Sequence, residues 1–402
     1  MIRAFSETAA IPTSKMKNSV WTGAVGNDLP VDSPSAGWSR KALSNILRKP
    51  GPISRIAGAV DLALFAAAEW ASPHAEAARG RLVLDLAASA RQSEGPGWKN
   101  LAESAVTAKH VWDVHALTQE PLLKEIGIGL MEHLLRNENA WLGDAAPRTE
   151  AVLALAFLRA NACCPRPDYL AAADRMLSRL TDGSAPDAPL NGGPARSPAL
   201  AEHAWSILAL TESFLTSGHR PHREAAEELL RELFQELWDR ERGGFMDPSA
   251  AAGSDRLVLH ENAVALEGAW RLSELKGNKH YSDWAAWGIK GLWSKLASPR
   301  EARLARVWEL LSRGRMDFEL VAKPEDRAPL LAALNRHYLP RKIISFVHPD
   351  DQDYLQAHKL LPCDRPTLFA CKDLRPVARA DAPKAVAALV ETLRKAHRDD
   401  SR

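Results

Sequence analysis

Cysteine is scarce in this chain: four in 402 residues, Cys163, Cys164, Cys363 and Cys371. None forms a C-x-x-C pair, and the adjacent Cys163 and Cys164 have no second pair at metal-ligand spacing. That argues against a disulfide framework and a thiolate metal site, so no metal is expected. Such usage reads as reduced thiols, and a cytoplasmic location is expected. Charge of one sign is lacking too. The formal net charge is +2 and Lys and Arg are interspersed with Asp and Glu, which leaves no electrostatic footprint for nucleic acid. The most apolar stretch, AGAVDLALFAAAEWA, is broken by Asp61 and Glu69 and is too short for a bilayer, so no membrane span is expected. The opening MIRAFSETAAIPTSKMKNS has no apolar core of a secretion signal. Gly-x-Ser-x-Gly is absent. Asn191-Gly192-Gly193 is too short for a phosphate loop and follows no strand, so no nucleotide or other cofactor is expected.

What is present is helix, repeated. Hydrophobic residues make up 46% of the chain, enough for a large core. Thirteen tryptophans stand against four tyrosines; nine of them (Trp70, Trp112, Trp205, Trp238, Trp270, Trp284, Trp287, Trp293 and Trp308) fall in helical patterns, where indoles fill gaps between helices. Residues 1–53 are polar, show no sustained period and read as an N-terminal arm. From 54 to 315 the chain reads as helical hairpins. The clearest runs from Glu202 to Asp247: Leu200, Ala204, Ile207, Leu208, Phe214 and Leu215 share one face of its first helix, and Ala226, Leu229, Leu230, Leu233 and Leu237 one face of its second. Gly218 and Gly277 stand where left-handed caps end helices. Ser197-Pro198 and Ser298-Pro299-Arg300-Glu301 read as helix starts.

The first helices align at Glu103-Ser104-Ala105, Glu150-Ala151-Val152, Glu202-His203-Ala204 and Glu261-Asn262-Ala263, spaced by roughly 45 to 60 residues, the range of paired-helix repeats. Apolar first helices followed by charged second helices fit an inner ring wrapped by an outer one; periodicity alone leaves an open solenoid as the alternative. Five hairpins and a further helix, REARLARVWELLSRG, are readable, so closure to six lacks one helix. Residues 316–402 read as a small α/β module: strands FELVA, KIISFV and TLFACKDL, the helix RAPLLAALNRHY, and a closing helix, DAPKAVAALVETLRKAHR.

The segments LWDRERGGFMD, HENAVALEGAWRLSELKGNKHYSDWA and RPTLFACKDLRPVARADAPKAV resemble the C-terminal part of the spermatogenesis-associated, thioredoxin-domain-containing family. The resemblance covers about residues 54 to 395. It implies a mainly α fold, an (α/α) six-hairpin glycosidase-like toroid similar to that of N-acylglucosamine and cellobiose 2-epimerases, with a small C-terminal α/β module. The thioredoxin domain and its cysteine pair are missing here, and His260-Glu261 replaces the usual Ser-Gly before Asn262.

In toroids of this kind the cleft lies at the N-terminal ends of the inner helices. That places Glu202, His203, His260 and Glu261 as candidate acid–base groups and Asn262, Trp205, Glu150 and Glu103 as candidate ligand contacts. Acidic residues at helix starts also simply stabilise the helix dipole, by about 0.3–1 kcal/mol each. His219-Arg220-Pro221-His222 lacks a third ligand for a metal, and the Gly-Gly-Phe corner reads as a structural turn. Two functions follow as expectations: a non-catalytic binding or scaffold module for a small carbohydrate-like ligand or a protein partner, or a carbohydrate-active enzyme of 2-epimerase or glycosidase type.

Overall fold

Two kinds of helix alternate along the chain, and burial separates them. A helix apolar on nearly every side must be covered on every side, whereas an amphipathic one covers it from without. In the computed structural model the described residues are 37–48, 59–70, 72–93, 101–137, 146–181, 199–248, 258–277, 279–292, 302–360 and 365–399. The helices covered on nearly every side are α2 (Ala59–Glu69), α4 (Leu101–Thr118), α6 (Pro147–Cys163), α8 (Leu200–Ser217), α10 (Leu259–Lys276) and α12 (Ala302–Arg313), the last burying Arg303, Arg306 and Glu309 among its apolar residues. These six pack in sequence, and α12 returns against α2, so the ring is closed. Outside them lie α3 (Pro73–Ser93), α5 (Pro121–Arg136), α7 (Pro167–Thr181), α9 (Arg220–Glu236) and α11 (Lys279–Leu292), each packed on the inner helix before it. In the central hairpin, α8 is buried almost throughout, while α9 buries Ala226, Leu230 and Leu233 alone.

The sixth hairpin is completed from the other end of the chain. Gly37–Arg48, read from the sequence as part of a polar arm, is a helix, α1, that packs on α12 and α3. Leu43 and Ile46 are fully buried there. This is the helix that sequence periodicity lacked. The protein is a mainly α, six-hairpin (α/α) toroid with a small C-terminal α/β module. The helix starts read at Ser197-Pro198 and at 298–301 lie outside the described residues, as do residues 1–36 of the arm. Gly218 and Gly277 cap α8 and α10 with φ of 74° and 63°.

Beyond α12 come β3 (Met316–Val321), α13 (Ala328–Asn335), β4 (Lys342–Val347), α14 (Gln352–Ala357), β5 (Thr367–Lys372), β6 (Arg375–Ala380) and α15 (Val386–Asp399); the short strands β1 (Trp238–Asp239) and β2 (Gly244–Phe245) form the corner after α9. The module's sheet has the order β4-β3-β5-β6, with β3 and β4 parallel across α13 and the other pairs antiparallel. Residues 36–402 form one compact unit: Leu215 of α8 enters the core of the module, and α13 packs on α6 and α8. The segment between α13 and β4 meets the C-terminal ends of the inner helices. There Arg341 pairs with Glu69 of α2 at 2.8 Å, and the Arg159 Nη1 of α6 donates to the Asn335 carbonyl at 2.6 Å.

Candidate functional site

At the N-terminal mouth of the ring, α8 and α10 start side by side, and the Trp205 and His260 rings lie 6.1 Å apart. His260 is largely buried; desolvation, reinforced by Arg303, holds its pKa down at about 3, so the imidazole is neutral, and Nδ1 has no hydrogen-bond partner. Glu261 is 8% exposed. Burial raises its pKa, the Arg148 guanidinium 3.6 Å away lowers it, and Oε2 accepts no hydrogen bond. With Arg148, these two residues bring polar groups together at the start of α10.

The other sequence candidates are distributed differently. Trp205 is 3% exposed, with the Arg303 guanidinium 4.9 Å over its ring, so its face is covered by protein and not offered to a ligand. Glu150 is fully buried and takes a 2.7 Å hydrogen bond from Arg179 of α7. His203 faces Glu232 of its own outer helix, 3.4 Å away, and Glu202 stands half-buried in the first turn of α8. Glu103 is exposed in the first turn of α4.

Asn262, expected as a ligand contact, holds the chain instead. Its Oδ1 accepts from the Phe245 N–H at 2.7 Å, and Nδ2 donates to the carbonyls of Phe245 and Val258 at 2.9 and 3.0 Å. Phe245, fully buried, packs against Phe234 and Trp238, and Asp239 Oδ1 accepts from the Glu241 and Arg242 N–H groups. A Cβ at Gly291 of α11 would lie 2.8 Å from the Gly243 Cα, so the corner needs glycine where the two backbones meet. The Gly-Gly-Phe corner is thus a bracket fastened to the start of α10. Asn262→Ala leaves a buried N–H and a buried carbonyl unpaired, and is expected to cost about 2–4 kcal/mol in urea unfolding.

Sequence reasoning missed the axis of the ring, where every inner helix places charge. Asp61 of α2 pairs with Arg303 of α12 at 3.0 Å and with His110 of α4 at 3.5 Å. Glu267 of α10, fully buried, receives Arg303 at 3.3 Å, Arg271 at 3.2 Å and Arg306 in a shorter contact. Asp113 of α4 receives Lys109 at 2.7 Å and Arg159 at 2.9 Å; Glu212 of α8 receives Arg271 at 3.3 Å and Lys342 at 3.5 Å. Burial pushes the Glu267 and Glu212 carboxyls up, but their cationic neighbours more than offset it and hold both at about 2. A cavity of about 70 Å³ lies within this network, between the ring and residues 335–342.

Among the described residues, no group of three or more His, Cys, Asp or Glu side chains could hold a metal ion. His219 and His222 meet edge to face with ring centroids 4.4 Å apart, and His222 Nδ1 bonds to the Ser213 hydroxyl. Cys163, Cys164 and Cys371 are free thiols; burial pushes Cys371 up to about 12. No described helix is long and apolar enough to cross a membrane.

No protein-family model matches the chain, and no curated protein matches it in sequence. Among solved structures it is similar to the GH76A alpha-1,6-mannanase of Salegentibacter sp. HEL1_6, with 15% identity and a TM-score of 0.45, over 79% of this chain and 99% of that one. An inactive variant of that mannanase in complex with alpha-1,6-mannotetrose matches at 13% identity and the same score, over 79% of this chain and 98% of the other. The closed ring itself stands on the helix contacts described above. Nothing in these comparisons supports the spermatogenesis-associated, thioredoxin-domain-containing family; of that resemblance, the six-hairpin toroid stands.

Proposed function

We propose that the chain is a binding toroid without turnover, taking a small carbohydrate-like ligand at the N-terminal mouth of the ring. The observation that carries this reading is the commitment of the axial carboxylates. Asp61, Asp113, Glu212 and Glu267 are each tied to two or more cationic side chains, Asp61 to Arg303 and Lys109. A general acid needs a raised pKa and a general base an accessible lone pair. Asp61, Glu212 and Glu267, whose cationic neighbours hold them below the ordinary carboxylate range, serve as neither.

Glu261 favours a second reading, a carbohydrate-active enzyme. Its carboxyl is raised by burial, has one unbonded oxygen, and sits beside the neutral His260. One experiment separates the two. Thermal shifts with a panel of mono- and disaccharides are measured beside an NMR assay for epimerised or hydrolysed product. Saturable shifts with no product are expected. Product formed by the native chain and lost in Glu261→Gln would establish the enzyme, and an absence of shifts and of product would remove the sugar ligand.

A further inference from the structure

The cavity on the ring axis has more positive charge around it than its carboxylates balance. Its lining includes Lys109, Arg159, Arg271, Arg303, Arg306 and Lys342. Against these six cations stand the lining carboxylates Asp113, Glu212 and Glu267, with Asp61 adjoining through Arg303 and Lys109. Six against four leaves an excess of two. Burial lowers the Lys342 pKa, yet with that lysine neutral the other five still outnumber the carboxylates, and arginine does not lose its proton in a protein.

Hydrogen bonding points the same way. Arg303 and Arg306 are 3% and 5% exposed, and the Nε of each has no partner. Arg159 Nη2 is likewise buried and unbonded, and its Nε, though 2.9 Å from Asp113, is not aimed for a hydrogen bond. A buried, uncompensated charge costs several kcal/mol, and unpaired guanidinium N–H groups add to that cost. Water can bridge such donors but supplies no negative charge. A space of about 70 Å³ exceeds what one water needs, about 10–15 Å³ on the same measure, and admits a small polyatomic ion.

We propose that the axial cavity is an anion site, taking a compact oxyanion such as phosphate or sulfate on Arg159, Arg303, Arg306 and Lys109. Arginine forks match oxyanion geometry, and in a water-poor interior each such bond is charge-assisted. Arg303 also lies over Trp205 near the mouth, but the oxyanion is tested without any sugar and stands or falls independently of one.

Lys109 gives a clean test, because each of its carboxylate partners keeps another cation when it is removed: Asp113 keeps Arg159, and Asp61 keeps Arg303. Calorimetric titration of sodium phosphate and sodium sulfate is run in anion-poor buffer, with sodium chloride at matched ionic strength as the reference. Saturable binding of at least one oxyanion is expected, weakened tenfold or more in Lys109→Met and unchanged in Arg240→Met, a surface control. Without oxyanion, Lys109→Met is expected to melt close to the native chain, the lost hydrogen bond to Asp113 being set against the relief of like-charge repulsion. Crystals of the native chain soaked in selenate should show an anomalous peak within the cavity, which keeps the test open if the variant does not fold. Absence of saturable binding, binding that Lys109→Met leaves intact, or selenate found only elsewhere would each overturn the site.

Discussion

Glu267→Gln is expected to lower the unfolding free energy by about 3–5 kcal/mol, the largest loss for any single substitution on the ring axis. Glu267 has no exposure to solvent and joins three arginines from two helices: Arg271 one turn further along α10, and Arg303 and Arg306 on α12. A buried ion cluster is weak evidence for net stability, since desolvating its members offsets much of their attraction. Removing one member is another matter, because the charges left behind stay desolvated and lose their counter-charge. Glutamine keeps the shape and one acceptor oxygen but cannot balance three guanidinium groups. The ring should loosen first between α10 and α12. Urea unfolding measures the loss, and hydrogen exchange of amides in α12 locates it. A loss below 1 kcal/mol would mean that the cluster is not the ring's internal fastening. If the axial cavity holds an oxyanion, saturating phosphate should recover part of the loss, since the ion would then supply the missing negative charge.

The hairpins were legible because α2, α4, α6, α8 and α10 are apolar enough to stand out and α5, α7, α9 and α11 each carry an apolar stripe. The left-handed glycine caps at Gly218 and Gly277 gave sharp ends. α1 escaped because, among the described side chains of GWSRKALSNILR, the buried apolar ones are Leu43 and Ile46, too few positions to establish a period across a polar region. β6 escaped for two reasons. RPVARA is an edge strand with alternating exposure and a proline, which reads as loop. Its hairpin turn, Asp373-Leu374, takes positive φ at both residues without the Asn-Gly signal that usually marks such a turn.

The site was half legible. Acidic and histidine residues do gather at the starts of the inner helices, but a position in the first turn does not say which way the side chain points. Thus His203 faces its outer helix and Asn262 the corner, while His260 and Glu261 share the mouth. The axial network had a signal that a search for periodicity passes over. Asp61 lies inside the apolar run AGAVDLALF, and Glu267 and Arg271 sit four apart in one of the most buried helices. A charge within an apolar helix interrupts a hydrophobic pattern, and burial is affordable only if other helices bring counter-charges to meet it. Which helices these are depends on ring closure, which brings α12 against α2.

Acidification from neutral pH is expected to destabilise the protein in two stages, the first beginning near pH 6.5. His260 has its pKa lowered to about 3 by burial, with Arg303, Arg148 and His110 opposing its protonation and Asp61 favouring it. His222 and His337 are lowered to about 4, again chiefly by burial. In the unfolded chain histidine titrates near 6.5. Between that value and the folded one, the unfolded state binds more protons, so stability falls as pH falls. The second stage belongs to Glu212 and Glu267, whose folded values near 2 lie below their ordinary 4.5. Their contribution is fully present above pH 4.5 and is lost as pH falls toward 2. Carboxyls raised by burial, Glu150, Asp174, Glu261, Glu274, Asp317 and Glu319, work in the opposite direction, since protonation relieves their burial, and they make the first stage shallower. His260 alone should contribute about 1 kcal/mol per pH unit across its window. Urea unfolding at intervals from pH 7 to 4 should therefore show a steady decline, made shallower by about that amount in His260→Gln. A variant with the native slope would show that His260 takes up its proton in the folded chain, with Asp61 near enough to outweigh Arg303.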